Sequence, residues 1–392
     1  MNDLARHWRL DPAVTFLNHG SFGACPAAVL DEQQRLRDRL EAHPVRFMMD
    51  EVEPLLAAAR EELARFLGAD ADGLAFVTNA TMGVNAVVRS LEFKPGDELV
   101  ATDHGYNACN NAFHYVASRS GAKVVIAKLP WPVASSDDVV AALLAVVTPR
   151  TRLVMIDHIT SPTAIILPVT RIVRELAARG IDTLVDGAHA PGMVPLDLKT
   201  IGAAYYTGNC HKWLCAPKGA AFLHVRADRR ELIRPTSISH GANAGLEGRS
   251  RYRVDFDWPG TFDPTAALCV PHAIRFVGSL LPGGWAAVME HNHRLALEGR
   301  DIVAAALGVR PPAPDAMLGS MAALPIRDAA GPPPPSPFGT EATQMKLYER
   351  HRIEVPIMGF PAWPRRLLRI SAQLYNERSH YRTLADALRS IW

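Results

Sequence analysis

AAYYTGNCHKWLCAPKGAAFLHV, residues 203–225, contains two runs suited to β-structure, AAYYTG (203–208) and AAFLHV (220–225), separated by small and polar residues. The link is a short loop and not the crossover that parallel neighbours need. Lys212 follows the first run, between His211 and Trp213. A lysine is ordinarily a solvated surface charge. One set between two strands in so apolar a segment is not, and burial beside other cations lowers its pKa. Such an amine is fit to form a Schiff base and afterwards to move a proton.

Outward from this segment, residues 55–265 alternate short β-branched runs with helical periodicity, the pattern of an α/β fold with a mostly parallel sheet. Helices are expected at Leu55–Leu67, Thr81–Leu91, Asp137–Val147 and Thr170–Arg179. Strands are expected at LAFVTNA (74–80), ELVAT (98–102), KVVIAKL (123–129), RLVMIDH (152–158) and DTLVDG (182–187). After Pro264 a long helical stretch runs through Asp301 to Leu307, followed by the proline-rich breaks RPPAPD (310–315) and GPPPPSP (331–337), which are loops because proline removes donors and fixes φ. Beyond the first break, strand LGSMAALPI, helix Glu341–Arg352, strands EVPIMGF and RLLRISAQLY, and helix Tyr381–Ile391 form a smaller α+β unit. The expected division is a large domain over 46–265, a small C-terminal domain over 266–392, and an N-terminal segment, 1–45, packed on the small domain and the active site.

The chain has 392 residues, 48% of them hydrophobic, with 42 basic against 40 acidic side chains and no long run of either sign. Nothing there favours nucleic acid or an anionic membrane, and a small soluble substrate fits better. The five cysteines include no C-x-x-C pair, which argues against a disulfide framework or zinc site and for a reducing, cytoplasmic compartment. The opening MNDLARHWRLDPAV carries charges where a signal peptide needs an apolar core, and no apolar stretch is long enough to span a bilayer.

Several polar groups fall at the C-terminal ends of expected strands, where open α/β sheets place their ligands. Asn79-Ala80-Thr81 sits where a strand hands over to a helix, so free amide N–H groups could hold a phosphate there. Thr81 reads equally well as a plain helix cap. Asp186 ends DTLVD, placing a carboxylate where it can pair with a protonated ring nitrogen, and His189 follows three residues later.

The runs LNHGSFG (17–23), TNATMGVN (78–85), DHGYNA (103–108), DHITSPTA (157–164), VDGAHAPG (185–192), GNCHKWLCAPKG (208–219), GTFDPT (260–265) and LRISAQLYN (368–376) occur in one order. In that order they resemble the class V aminotransferase superfamily of fold-type I enzymes, specifically its isopenicillin N epimerase-like branch, across nearly the whole chain. The resemblance implies pyridoxal 5′-phosphate held as a Schiff base on Lys212, with Asp186 pairing the ring nitrogen and His189 near the phenolate oxygen. It further implies that His104 stacks on the ring, a place Tyr106 could take instead. Ala80 and Thr81, with Asn79, Asn209 and His211, would form the phosphate cup, completed by Thr261 from a second subunit, which makes the enzyme a homodimer. Thr160 and Ser161 would lie near a cofactor oxygen, Asn18 and His19 in a loop closing over the substrate, and Arg369 on the substrate α-carboxylate through a bidentate fork.

One departure narrows the chemistry. Cysteine desulfurases of the superfamily need a mobile cysteine shortly before the carboxylate-binding arginine, and HRIEVPIMGFPAWPRRLLRIS (351–371) holds none. That argues against a persulfide-forming desulfurase; the resemblance itself implies chemistry at the α-carbon of an amino acid or amino-acid-bearing peptide, epimerisation first and carbon–sulfur cleavage second, while the residues alone leave epimerisation, cleavage and transamination open. A nicotinamide dehydrogenase would need a G-x-G-x-x-G after an early strand, and there is none. A non-catalytic relative would be expected to lose Lys212 or Arg369.

Overall fold

The computed structural model describes residues 2–336 and 339–391, so Pro337, the last residue of the second proline-rich break, lies outside the described residues. A seven-stranded sheet is built from β1 (Leu74–Val77), β2 (Glu98–Thr102), β3 (Lys123–Ala127), β4 (Thr151–Asp157), β5 (Asp182–Asp186), β6 (Tyr205–Asn209) and β7 (Ala221–Val225). Their spatial order is β1-β7-β6-β5-β4-β2-β3. From β6 across to β3 the neighbours are parallel, whereas β7 runs antiparallel to both β6 and β1. The antiparallel β6–β7 pair is what a loop too short for a crossover demands, and Lys212 lies in that loop.

Strands β2 and β6 are buried at every residue, which explains why, apart from Glu98 and Asn209 at their ends, they do not alternate as a one-sided sheet would. Helices cover the faces. Val169–Ala177 buries Val169, Ile172, Val173 and Leu176, the i, i+3, i+4, i+7 stripe of an amphipathic helix. Burial of each such side chain contributes about 1.5–3 kcal/mol. The helix Ala80–Ser90 begins one residue before the sequence reading placed it, and β1 stops at Val77, because Asn79 and not Thr81 is the N-cap: its Oδ1 accepts the Met82 N–H at 2.9 Å. This helix lies close over β6. A Cβ added at Gly83 would stand 2.2 Å from Thr207 Oγ1, so only glycine permits the approach.

A second, antiparallel sheet orders β9 (Ile357–Gly359), β10 (Arg366–Ser371) and β8 (Met321–Ile326). The long helical stretch expected after Pro264 divides into Thr265–Leu268, Val270–Gly278 and the 24-residue Gly284–Leu307, the last of which packs on Arg378–Ile391. Thr15–Phe16 pairs in parallel with Ile353–Glu354, fastening the start of the chain to this region. A continuous apolar cluster joins the two sheets, from Val154 and Val185 to Leu324 and Leu368. No helix among the described residues is long and apolar enough to cross a membrane.

Candidate active site

The C-terminal ends of β4, β5 and β6 open into a cleft enclosing ≈ 1320 Å³ of empty space, part of it open to solvent. Lys212, Asp186, His189, Asn209, His211, Asn79, Ala80, Thr81, Tyr106 and Ser161 all line it.

Lys212 is fixed by its backbone. Its carbonyl accepts from the Cys215 N–H at 3.0 Å and lies 3.1 Å from His19 Nε2. Gly23, at φ 71°, passes directly beneath: an added Cβ would stand 2.3 Å from the His211 carbonyl oxygen and 3.0 Å from Lys212 Cα. Lys212 Nζ lies 3.3 Å from His189 Nε2, while Trp213 Nε1–H donates to His189 Nδ1 at 3.3 Å. With Nδ1 accepting, the network assigns the ring proton to Nε2, which then faces an unprotonated amine. Burial, with Arg369 adding to it, pushes the Lys212 amine down to about 8, and burial followed by the Lys212 charge holds His189 well below the usual imidazole range.

Asp186 accepts from the Ala188 N–H at 3.0 Å and from the Cys109 thiol at 3.1 Å. Asp157 ends the adjacent strand in direct register with Asp186 and also lines the cleft. Two buried carboxyls side by side cannot both ionise cheaply. Burial raises Asp186, and burial followed by the Asp186 charge raises Asp157 well above the usual carboxylate range, against a hydrogen bond from the Tyr106 N–H. Sequence reasoning missed Asp157 and Cys109. An acid closing the apolar run RLVMID was the available signal for Asp157; a cysteine on an ordinary helix gave none.

The phosphate cup of the expectation is a helix N-terminus tied to a strand end. Asn209 Oδ1 accepts the Ala80 N–H at 2.8 Å, which fixes the first turn of Ala80–Ser90 against β6. His211 lines the same end, its Nδ1 2.9 Å from the Ala220 carbonyl oxygen. Behind Ser161 and Ser21, which line the cleft, Arg369 on β10 is only 3% exposed and does not itself line it. Its Nη1 donates to the Ser161 carbonyl at 2.5 Å and its Nη2 to Ser21 Oγ at 3.1 Å, and no carboxylate of the described residues pairs with it. Burial pulls the guanidinium down to about 10. A buried cation without an anion is costly unless a ligand brings one.

Three expectations meet a different arrangement. His104 does not reach the cleft: its Nδ1 is 2.8 Å from Thr163 Oγ1, and its ring packs edge-on against Phe360 at 4.7 Å and Trp131 at 5.9 Å. Tyr106, two residues on, lines the cleft in its place. Thr160 is wholly buried, its hydroxyl 2.7 Å from Thr163 Oγ1 and accepting the Ile165 N–H, which leaves Ser161 as the residue of that turn facing the cleft. Asn18 and His19 are buried supports: Asn18 Oδ1 accepts from Ser21 Oγ at 2.5 Å and His19 Nδ1 lies 2.8 Å from Tyr375 Oη, so their loop meets the cleft through Ser21 and Phe22. Thr261 is exposed and does not line its own chain's cleft.

The donor set suits pyridoxal 5′-phosphate: a helix N-terminus for the phosphate, a buried acid for the ring nitrogen and a low-pKa amine for the aldehyde carbon. The family described as Aminotransferase class-V matches residues 18–330. The chain is 38% identical over 97% of its length to isopenicillin N epimerase of Amycolatopsis lactamdurans, of which it covers 96%. It is 30% identical, also over 97%, to a probable chloroplastic L-cysteine desulfhydrase of Arabidopsis thaliana, of which it covers 83%. Among solved structures, the cystine C-S lyase C-DES in complex with cysteine persulfide has a TM-score of 0.81 at 22% identity, covering 96% of this chain and 97% of that one. The cysteine desulfurase CsdA from Escherichia coli gives 0.78 at 21%, covering 99% and 97%. At such identities these structures share the fold alone. The profile match and the near full-length relatives together show that this chain belongs to the class V aminotransferase family.

Proposed function

We propose that the chain is a pyridoxal-5′-phosphate enzyme that epimerises the α-carbon of an amino acid or of a peptide bearing one. The observation that carries the reading is the unpaired, buried Arg369 held directly behind Ser161 and Ser21, two residues of the cleft that also contains the low-pKa amine of Lys212 and the acids Asp157 and Asp186. A substrate that brings a carboxylate and an amine complements that charge pattern.

Bound there, the cofactor supplies an electron sink that weakens the bonds at the substrate's α-carbon. Arg369 takes the α-carboxylate, with Ser161 and Ser21 holding the guanidinium in place. Asp186 keeps the ring nitrogen protonated, supported by Cys109 and the Ala188 N–H. His189 orients Lys212, which serves as the base for the α-proton. Ala80 and Thr81, with Asn79, Asn209 and His211, hold the phosphate, joined by Thr261 of the partner subunit in a homodimer. The exposure of Thr261 supports that role, and the unpaired cysteines support a reducing, cytoplasmic setting.

The test is to incubate purified protein with isopenicillin N and with L-cysteine. Inversion without sulfide release supports the proposal. Sulfide and keto acid without inversion would replace it with carbon–sulfur cleavage, a second reading favoured by the desulfhydrase relatives. All five cysteines are buried, which argues against a persulfide carrier in either case.

A further inference from the structure

Inversion of a carbon centre needs a proton removed from one face and another delivered to the opposite face. A lone base returns the proton where it found it, so an epimerase cleft needs a second ionisable donor across from Lys212. The strand order limits where that donor can stand. Lys212 follows β6, Asp186 ends β5, Asp157 ends β4, and Tyr106 follows β2, so the two acids lie between the lysine loop and the tyrosine turn.

The other titratable groups of the cleft are committed. Asp186 is held by Cys109 and Ala188. His189 stands on the side of Lys212, 3.3 Å from its amine, and His211 adjoins Lys212 in sequence with its Nδ1 tied to Ala220. Asp157 receives the Tyr106 N–H at the floor of the cleft. Tyr106 is different: its side chain is 45% exposed at the mouth, and its hydroxyl makes no hydrogen bond with the described residues.

We propose that Tyr106 is the second acid–base group of the reaction, donating a proton to the α-carbon from the side opposite Lys212. The inference rests on the epimerase reading of the cleft. The α C–H bond breaks toward Lys212 Nζ, leaving its electron pair with the substrate. A new C–H bond then forms from that pair and the proton of Tyr106 Oη. Lys212 ends as an ammonium and Tyr106 as a phenolate, and water at the open mouth restores both. The local charges suit a donor: burial, with Cys109 and Asp186 adding to it, raises the phenol above its ordinary value, while Arg369 opposes them and so favours the phenolate once the proton has left.

Tyr106→Phe keeps the ring and removes only the hydroxyl. In D2O, wild-type protein should convert L-configured isopenicillin N to the inverted product with deuterium at the α-carbon. The variant should still wash out the α-proton, now with retention of configuration, while inversion falls by at least about a hundredfold, the scale of a lost general acid. Its dissociation constant for pyridoxal 5′-phosphate and its visible absorption should match wild type; Tyr106→Ala, which also deletes the ring, should weaken cofactor binding. Inversion by Tyr106→Phe at near the wild-type rate overturns the role of Tyr106 and leaves the epimerase reading intact. Loss of exchange and inversion together, with weakened cofactor binding, overturns it as well, since Tyr106 would then act by holding the cofactor. A wild-type protein that inverts nothing overturns both proposals.

Discussion

The thiol of Cys109, on the helix Asn107–Ser120, donates to Asp186 Oδ2 at 3.1 Å, so a buried cysteine is a hydrogen-bond partner of the acid at the cleft floor. That bond favours the ionised form of Asp186 against the burial that raises it. Cys109→Ala should therefore weaken pyridoxal 5′-phosphate binding by roughly 0.5–1.5 kcal/mol, the worth of one hydrogen bond, as read from equilibrium cofactor titration. Unchanged affinity would mean that the thiol is packing alone. Cys109 should also resist alkylation in the native protein, because burial and then Asp186 raise its thiol well above the usual range.

Lys212 should be the sole site of cofactor attachment. Borohydride reduction and peptide mapping should label it and leave Lys218 unlabelled, since Lys218 Nζ donates to the Gly23 carbonyl at 2.8 Å. The sign of the pH effect follows from the lowered pKa. The amine is nucleophilic only when unprotonated, so the rate of attachment to apoprotein should rise with pH and level off near 8, below the ordinary lysine value of 10.5. A rate still climbing steeply above pH 9 would contradict this.

Asp186→Asn should retain cofactor and lose most turnover, because an amide cannot stabilise a protonated ring nitrogen. Asp157→Asn should act differently. Its amide fills the space of a carboxyl that burial and the Asp186 charge already keep protonated, so cofactor binding and its pH dependence should stay close to wild type. Cofactor titrations between pH 5 and 8 check this, and an Asp157→Asn curve displaced from wild type would show that Asp157 carries charge in that range.

Arg369→Lys should weaken amino-acid binding by roughly 1.5–3 kcal/mol, at least about tenfold, because a point charge cannot copy a planar two-pronged contact. Decarboxylated amine analogues should bind almost unchanged. Equal weakening of both ligands would show that Arg369 shapes the cleft without reading the carboxylate.

The sheet, its Lys212 hairpin and the acid at the end of β5 were legible because each rests on a local pattern: apolar runs of strand length, a loop too short to cross over, and polar groups at strand ends. What escaped depends on side-chain direction. DHGYNA offers two rings two residues apart, and only the hydrogen bond between Thr163 and His104, with Phe360 and Trp131 around it, decides that Tyr106 faces the cleft. Thr160 and Ser161 are likewise adjacent hydroxyls whose fates diverge because one closes the turn to Ile165. Arg369 lies on a fully buried strand with no alternation to mark it, and its orphaned charge becomes visible only when the neighbouring strands are in place. Asn79 and Thr81 both suit a helix cap, and the backbone chose the earlier one.

The turn that carries Lys212 is braced from both directions of the chain: His19 meets its carbonyl and is itself held by Tyr375, while Gly23 lies under its backbone. A chain still emerging from the ribosome has residue 19 and residue 212 long before it has residue 375. Its lysine turn is therefore braced on one side only, and Arg369 has yet to arrive. Assembly of the site thus waits for residue 375, and a premature stop even a few codons before Tyr375 would leave a protein with its seven-stranded sheet and an unfinished catalytic lysine.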